Sequence, residues 1–453
     1  MNIDTAKLKE IAAIAVPAVL ESLVTVVIAS IDTKMISVLG GSAISAVSLT
    51  TQPKVFIFSI FFALGTAVSV FVAQAYGRRD REEANGYFHA ILKITILLSV
   101  LLGILLWLGA EPIMRLCSMQ KETVSLSAEF LRIVMGPMIF QTVSIVLNAA
   151  LRGVGRTKIT LAANLAMGVV DIIFNYLLIE GHCGFPRMEV AGDAVATVLG
   201  TLASCLVSLS VLLRHDDFLS FRGFFAHRLF ADPHQLSEIR SKAGNTIFEN
   251  LFLRLGFLLS GMIVSLFPAE ETAVYFVAML LLNVSFAVGD GIQSAVVALT
   301  GRSMGAGRYD DLRQYLRLSL WCGLLLSAVL SGTYIFGAGW FFGQFFRDAE
   351  SIGQGRAFAM VVAVLTGLQI SRIVIVAAMR GIGEMKIPRQ IAMISVLFIN
   401  PGASYLLAVA FDQGVWGIWQ GSLISQTAWA LMCVLKARGC LGALPEEKED
   451  TIC

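Results

Sequence analysis

The stretches Ala149–Gly155 (AALRGVG) and Ala377–Gly383 (AAMRGIG) lie 228 positions apart and are identical at five of seven positions. The same offset relates Tyr87 to Tyr315. It holds over more than 140 residues without a large gap. Such a repeat indicates an internal duplication, in which the two halves of the chain fold into equivalent units.

The composition is that of a membrane protein. Hydrophobic residues make up 57% of the chain, charged residues 15%, and the mean hydropathy is +0.77, whereas a soluble domain carries about 25% charged residues. The net charge of +2 gives no basic footprint for nucleic acid. The seven cysteines are scattered without CxxC spacing, so neither a disulfide framework nor a metal site is expected.

Apolar stretches of roughly 20 residues cross a bilayer as helices. The sequence predicts an all-α integral membrane protein with twelve transmembrane helices in two pseudo-symmetric six-helix bundles. Two parallel lobes of this kind are typical of secondary transporters. The predicted spans are 11–38, 52–76, 87–109, 127–148, 160–180, 192–213, 243–266, 271–300, 316–341, 356–378, 389–410 and 413–436.

The loops predict the domains and the orientation. About 23 of the 34 Lys and Arg residues fall on the side that holds both termini, and basic loops stay in the cytoplasm. We therefore expect a multi-pass protein of the plasma (inner) membrane with both termini cytoplasmic. The expected parts are an N-terminal lobe (1–213), a cytoplasmic linker (214–242), a C-terminal lobe (243–437) and a cytoplasmic tail (438–453).

Short motifs recur in a fixed order along the duplicated chain, namely Asp32-Thr33 with Val38–Gly40, Gly65 with Val72–Gln74 and Gly77, Leu151–Lys158, Asn175–Ile179, and Val190–Gly192 with Ala194 and Ala196-Thr197. In this order they resemble the multidrug and toxic compound extrusion (MATE) family over nearly the whole chain. The resemblance implies two six-helix bundles around a V-shaped cavity. It also implies antiport, in which organic compounds, often cationic, leave as protons or sodium ions enter.

This resemblance sets the expected partners. We expect small organic substrates, contact with membrane lipid, a monomer, and no cofactor besides the coupling ion, H⁺ or Na⁺. No P-loop and no HExxH pair occurs, and the five histidines fall in or near loops, so neither ATP drive nor an enzyme is expected. A lipid-linked saccharide flippase or an anionic-metabolite exporter of the same superfamily is the alternative.

Polar side chains share one depth in the first lobe. By helix rise, Asp32 lies roughly 9 Å, and Asn175 and Thr197 about 7 Å, below the outer ends of their spans. Asp171 is one turn from Asn175 on the same face. Oxygen ligands of this kind suit a hard cation or a shared proton.

The resemblance places these residues in the family's N-lobe cation site. Asp32 matches the first-helix aspartate, and Asp171 and Asn175 match the fifth-helix polar pair with acid and amide exchanged. Pro17 lies where the first helix bends in the family and is the predicted hinge. The predicted coupling residues are therefore Asp32, Asp171, Asn175 and Thr197, with no metal site beyond a sodium ion at Asp32.

Other polar groups at membrane depth are candidates for the substrate cavity, because buried ionisable residues are costly. Glu249 matches a seventh-helix glutamate of one family branch, but Gln369 stands where that branch has an aspartate. Ion coupling is therefore assigned to the first lobe. The cavity candidates are Glu21, Glu249, Arg254, Asp290, Gln369 and Arg372. For the charged residues of the second lobe, substrate contact, a structural ion-pair network and a second titrating site stay open.

Overall fold

The structure is a computed structural model that describes residues 4–117, 121–214, 218–221, 224, 233–442 and 445. Helices are the regular secondary structure of these residues. Besides a 3-10 turn at His182–Gly184 they are α1 Thr5–Ser37, α2 Gly41–Arg78, α3 Arg81–Cys117, α4 Lys121–Met135, α5 Ile139–Gly153, α6 Thr157–Leu178, α7 Glu189–Arg214, α8 Pro233–Val264, α9 Ala269–Gly305, α10 Tyr309–Gly343, α11 Ala349–Gly381, α12 Lys386–Ala392, α13 Asn400–Tyr405 and α14 Val415–Gly442.

The predicted helical membrane fold is confirmed. In the described residues, ten helical segments are long and apolar enough to cross a bilayer, and the bent pair α4 and α5 can form an eleventh span. The 28-residue α14 lies where the last span is predicted. The chain is a multi-pass membrane protein.

The predicted span 127–148 is not one straight helix. α4 ends at Met135, α5 begins at Ile139, and the two meet at 50°. Pro137 lies at the break, and a proline has no N–H to donate to the preceding turn. The Gly136-Pro137 pair therefore bends this span.

The predicted span 389–410 contains wide turns. π-helical segments at Met393–Ile399 and Leu406–Ala410 flank α13, which holds Pro401 near its start. The missing N–H of Pro401 frees a carbonyl in the preceding turn, and a local π turn accommodates it. A π turn holds one residue more than an α turn, so the repeat offset rises from 228 at Lys158 and Lys386 to 229 at Asn175 and Ser404.

The chain forms two compact units. We call Leu20–Ala243 the N-terminal unit, and Met1–Val19 together with Gly244–Cys453 the C-terminal unit. The predicted lobes differ from these units at the chain start, because the first part of α1 groups with the C-terminal unit. The boundary in α1 falls two residues after Pro17, through which the helix runs unbroken.

The predicted linker and tail are only partly covered by the structure. Residues 218–221, 224 and 233–242 of the linker are described and belong to the N-terminal unit. Of the predicted tail, α14 includes the first residues up to Gly442. Residues 215–217, 222–223, 225–232, 443–444 and 446–453 lie outside the described residues.

Each unit has its own apolar core. Phe61, Phe88 and Leu131 are fully buried in the N-terminal unit, and Phe358 and Trp419 are almost fully buried in the C-terminal unit. Lipid tails are as apolar as these side chains, so close packing, rather than exclusion of water, holds the helices together.

The contact between α6 and α7 positions the polar residues described below. A Cβ at Gly192 would lie 2.8 Å from the backbone of Leu178, and one at Gly200 would lie 2.8 Å from the carbonyl oxygen of Met167. Only glycine permits so close an approach of two helix backbones. The polar faces of α6 and α7 are thereby brought together.

Candidate functional site

Three of the predicted coupling residues meet in the N-terminal unit. The Asn175 amide donates to a carboxylate oxygen of Asp32 at 2.7 Å and, more weakly, to one of Asp171 at 3.4 Å. Asn175 is fully buried and Asp171 is 7% exposed, whereas Asp32 is half-buried. One amide on α6 therefore links the acid of α1 to the acid of its own helix.

α7 completes the arrangement. The Thr197 hydroxyl donates to Asp171. One turn earlier on the same face, Asp193 lies close enough to Asp32 for the two carboxyl groups to interact directly. We call Asp32, Asp171 and Asp193 the acid cluster.

A basic side chain lies beside the acid cluster. Lys54 of α2 interacts electrostatically with Asp193 and Asp32. Its Nζ lies 4.7 Å from the centroid of the Phe130 ring. Burial disfavours the ammonium charge at this depth, and the aromatic face and the two acids offset part of that cost.

Several oxygen atoms at the site have no hydrogen-bond partner. They are Oδ1 of Asp171, Oδ1 of Asn175 and Oδ1 of Asp193, all buried. A buried polar atom without a partner is costly unless something binds it during function. Among the described residues, no three His, Cys, Asp or Glu side chains form a metal-binding arrangement.

Glu21, predicted as a cavity residue, is instead enclosed within the N-terminal unit. It is 6% exposed. Arg152 donates to it at 2.8 Å, the Thr160 hydroxyl at 2.5 Å and the Asn164 amide at 2.6 Å. Both carboxylate oxygens are thus satisfied inside the protein, which is what a buried charge requires.

Glu249, the repeat equivalent of Glu21, has fewer partners in the C-terminal unit. It is 2% exposed and accepts from Arg380 at 2.9 Å, while its Oε2 has no partner. Arg380 also donates to Gln293 at 3.0 Å. The ion pair itself is repeated, since Arg380 lies 228 positions after Arg152.

The remaining cavity candidates differ in exposure, although Arg372 interacts electrostatically with both Glu249 and Asp290. Arg372 is 6% exposed and stacks on the Trp429 ring at 3.7 Å. Gln369 is 1% exposed, and its Nε2 has no partner. Arg254 and Asp290 are exposed and attract each other. Arg372 and Gln369 are thus enclosed, whereas Arg254 and Asp290 are accessible.

Sequence reasoning missed Lys54 and Asp193. Asp193 could have been found, because it precedes Thr197 by four residues and therefore shares its helix face. Lys54 gave no such signal, since it lies near the end of a predicted span, where basic residues are ordinary. Its proximity to the acids depends on the packing of α2 against other helices.

The chain was compared with known proteins. The MatE family model matches it twice, at residues 17–177 and 246–406, in agreement with the duplication. The "Probable multidrug resistance protein NorM" of Rhizobium meliloti is 26% identical over 431 residues, covering 92% of this chain and 90% of that protein. The "Uncharacterized transporter YisQ" of Bacillus subtilis is 24% identical over 397 residues, covering 86% and 85%.

A solved structure shows the same fold. A crystal structure of MATE in complex with MaD3S superposes with a TM-score of 0.89 at 19% identity, covering 97% of each chain. Two family matches that together span most of the chain leave no ambiguity about its class. The chain therefore belongs to the MatE family of membrane transporters.

Proposed function

We propose that this protein is a secondary active exporter of small organic compounds, often cationic, which it exchanges for protons or sodium ions by alternating access. The acid cluster carries this proposal, because Asp171 and Asp193 are buried in the N-terminal unit beside the half-buried Asp32, and Asn175 links Asp32 to Asp171. Ionisable groups at membrane depth mark ion pathways by default. The multidrug resistance proteins among its relatives support the substrate class.

The hydrogen bonds suggest how an ion changes the structure. A charged Asp32 attracts the Asn175 amide and so holds α1 against α6. When a cation neutralises Asp32, this contact weakens, and α1 can change its packing on α6 and α7. A coupling ion can drive transport only if its affinity differs between the two conformations of the transporter. The change in the packing of α1 is the proposed source of this difference in affinity. Pro17, near the unit boundary in α1, is the proposed hinge.

The test is export of a fluorescent organic cation from proteoliposomes under imposed inward proton and sodium gradients, applied separately. Asp32→Asn should reduce gradient-driven export to the level of protein-free liposomes. The matched control is Ser260→Ala, because Ser260 occupies the equivalent position in the C-terminal half. Gradient-driven export by Asp32→Asn at the wild-type rate would refute the role of the site.

Export of an anionic compound is the second candidate. Arg254 is exposed in the C-terminal unit and carries the positive charge that such a substrate needs. Arg372 is enclosed against Trp429 and does not support it. If neither gradient moves the cation, an anionic dye with wild type and Arg254→Gln is the next assay. Loss of export only in Arg254→Gln would establish this alternative.

The remaining features of the proposal follow from the sequence. The distribution of basic loops supports a plasma (inner) membrane location with both termini in the cytoplasm. We further propose that the transporter acts as a monomer without a cofactor, and that it exports its substrate chemically unchanged. Accessibility of single cysteines introduced near either terminus, probed from each side of the membrane, tests the orientation.

A further inference from the structure

Lys54 gives the acid cluster a cation that belongs to the protein. Lys54 directly follows Pro53 in α2, and its side chain is half-buried. Its Nζ lies over the Phe130 ring at 4.7 Å, and it interacts electrostatically with Asp193 and Asp32. Because it is covalently attached to α2, this ammonium group cannot leave the site as a free ion can, and both the ring and the carboxylates attract it.

We infer that Lys54 is a built-in counter-cation of the Asp32–Asp193 pair, and that its charge excludes sodium ions from the site. The inference deepens the proposed function and rests on it in one respect, namely that the acid cluster is the coupling site. If Lys54 excludes sodium ions, the coupling ion is the proton. Lys54 is thus a residue that determines ion specificity.

The charges at the site explain the exclusion. Asp32, Asp171 and Asp193 lie close enough to repel one another electrostatically. The Lys54 ammonium offsets one of the negative charges that these three carboxyl groups can carry. A sodium ion would bind close to Lys54, where like charges repel strongly at low dielectric constant. A proton enters differently, because it joins an oxygen covalently and needs no room for a second cation.

The internal repeat supplies independent support. At the offset of 228, Lys54 corresponds to Leu282, and Phe130 corresponds to Phe358. Leu282 and Phe358 are buried in one apolar cluster of the C-terminal unit. The aromatic ring is therefore kept in both units, whereas the basic side chain is present only in the unit that has the acid cluster.

Asp193 follows the same pattern. A Cβ at Gly192 would meet the backbone of Leu178, and a Cβ at Gly417 would meet the backbone of Leu407. This matched contact makes Ile418 the equivalent of Asp193, and Ile418 is fully buried in the same apolar cluster. Lysine and aspartate in one unit are replaced by two apolar residues in the other, so the two charges occur as a set.

The experiment measures sodium binding and sodium-driven export in full-length protein. In detergent, the Tm is measured at constant ionic strength with Na⁺ or with choline, which reports binding to the folded state. In proteoliposomes, export of the organic cation is measured under an inward sodium gradient alone. The variant is Lys54→Met, which removes the charge and keeps an unbranched chain against Phe130. Lys54→Gln is the second variant in case Lys54→Met does not fold.

We expect wild type to show no sodium-specific rise in Tm and no sodium-driven export. Lys54→Met should gain both, with at least a roughly tenfold lower half-saturating Na⁺ concentration, within the usual range of coupling between sites. Lys54→Arg keeps the charge and should behave as wild type. Lys93→Met is the matched control, since Lys93 also stacks on a ring, that of Phe224 at 5.2 Å, and should leave the sodium response unchanged.

The outcomes separate this inference from the proposed function. A sodium-specific Tm rise of equal size in wild type and Lys54→Met overturns the inference, and so does the absence of such a rise in both Lys54→Met and Lys54→Gln. If no gradient drives export in any protein but sodium stabilises Lys54→Met alone, the proposed antiport fails and the ion exclusion stands. If protons drive wild-type export but sodium binds to neither Lys54→Met nor Lys54→Gln, the proposed antiport stands and the role of Lys54 fails.

Discussion

The two units place different chemistry on the same helical frame. In the N-terminal unit, Asn175 and Thr197 join the acid cluster across α1, α6 and α7. In the C-terminal unit, Asn400 donates to Ser260 at 3.1 Å and accepts from Ser422 at 3.2 Å. Ser260 is the equivalent of Asp32 at the offset of 228, and Asn400 is that of Asp171 at 229. Ser422 is the equivalent of Thr197 at 225, the offset that also relates Gly192 to Gly417.

The equivalent polar residues of the two units therefore have different roles. Those of the C-terminal unit only hold helices together, whereas the acid cluster can also respond to an ion. The neutral set makes interhelical hydrogen bonds but carries no charge that a cation could neutralise. The acid cluster makes the same kind of bonds but carries charges that a cation can neutralise. Duplication supplied two copies of the frame, and only one copy has the charges that we assign to coupling.

The Glu–Arg ion pairs of the two units differ in the number of donors around the glutamate. Glu21 has a second and third donor in Thr160 and Asn164, whereas Glu249 has an unpaired carboxylate oxygen. In the repeat, Thr160 corresponds to Pro388 and Asn164 to Ala392, and neither of these has a side-chain donor. The ion pair is therefore better supported in the N-terminal unit.

The largest expected effect is the loss of the arginine from the less supported pair. Arg380→Met leaves Glu249 buried without its ion-pair partner and should lower the free energy of unfolding by about 3–5 kcal/mol. Arg152→Met should cost less, about 1–3 kcal/mol, because Thr160 and Asn164 still donate to Glu21. Unfolding in detergent, followed by helical circular dichroism, gives both values.

A double variant controls for the loss of arginine packing. Glu249→Gln combined with Arg380→Met removes both charges and should recover much of the stability lost by Arg380→Met alone. An equal loss in the single and double variants would mean that packing, rather than an unpaired charge, dominates. Equal losses for Arg380→Met and Arg152→Met would show that the extra donors around Glu21 do not matter.

A smaller effect is expected from closing the space between α6 and α7. In Gly200→Ala, the new Cβ would lie 2.8 Å from the Met167 carbonyl oxygen and 3.1 Å from the Asp171 Cβ. The helices must separate, at a cost of about 1–3 kcal/mol, and Asp171 moves away from the other acids. Unfolding in detergent reports the stability, and proton-driven export reports the site.

Gly402 offers the matched control in the C-terminal unit. It lies in α13 with nothing within 4 Å of an added Cβ. Gly402→Ala should therefore raise stability by up to about 1 kcal/mol, because alanine favours the helix. A destabilised Gly402→Ala, or an unchanged Gly200→Ala, would contradict the role assigned to the close contact.

The smallest effect on stability is expected at a tyrosine that occupies equivalent positions in the two units. Tyr87 donates to Glu238 in the N-terminal unit, and Tyr315 donates to Glu10 in the C-terminal unit. Tyr87→Phe and Tyr315→Phe should each cost about 0.5–1.5 kcal/mol. The cost should be lower for Tyr315→Phe, since Glu10 keeps its ion pair with Arg302 at 2.6 Å. Tm values of the two variants, measured side by side, test this order, and a larger loss for Tyr315→Phe would reverse it.

The sequence predicted the helical membrane fold because periodic apolar length and repetition are local properties of a chain. It did not predict the bend at Pro137 or the π turns near Pro401. A proline marks a place where a helix can break, but neighbouring helices decide whether it bends, widens or continues, as α1 does through Pro17.

The candidate site divides in the same way. Asp32, Asp171, Asn175 and Thr197 were found by their depth and helix spacing, which the sequence contains. The sequence by itself also placed Glu21 and Glu249 at membrane depth, at equivalent positions of a duplicated chain. Only the tertiary structure decided their partners, the closeness of Asp193 to Asp32, and the position of Lys54 beside both. Depth follows from counting along one helix, whereas a contact depends on how separate helices rotate and pack against one another.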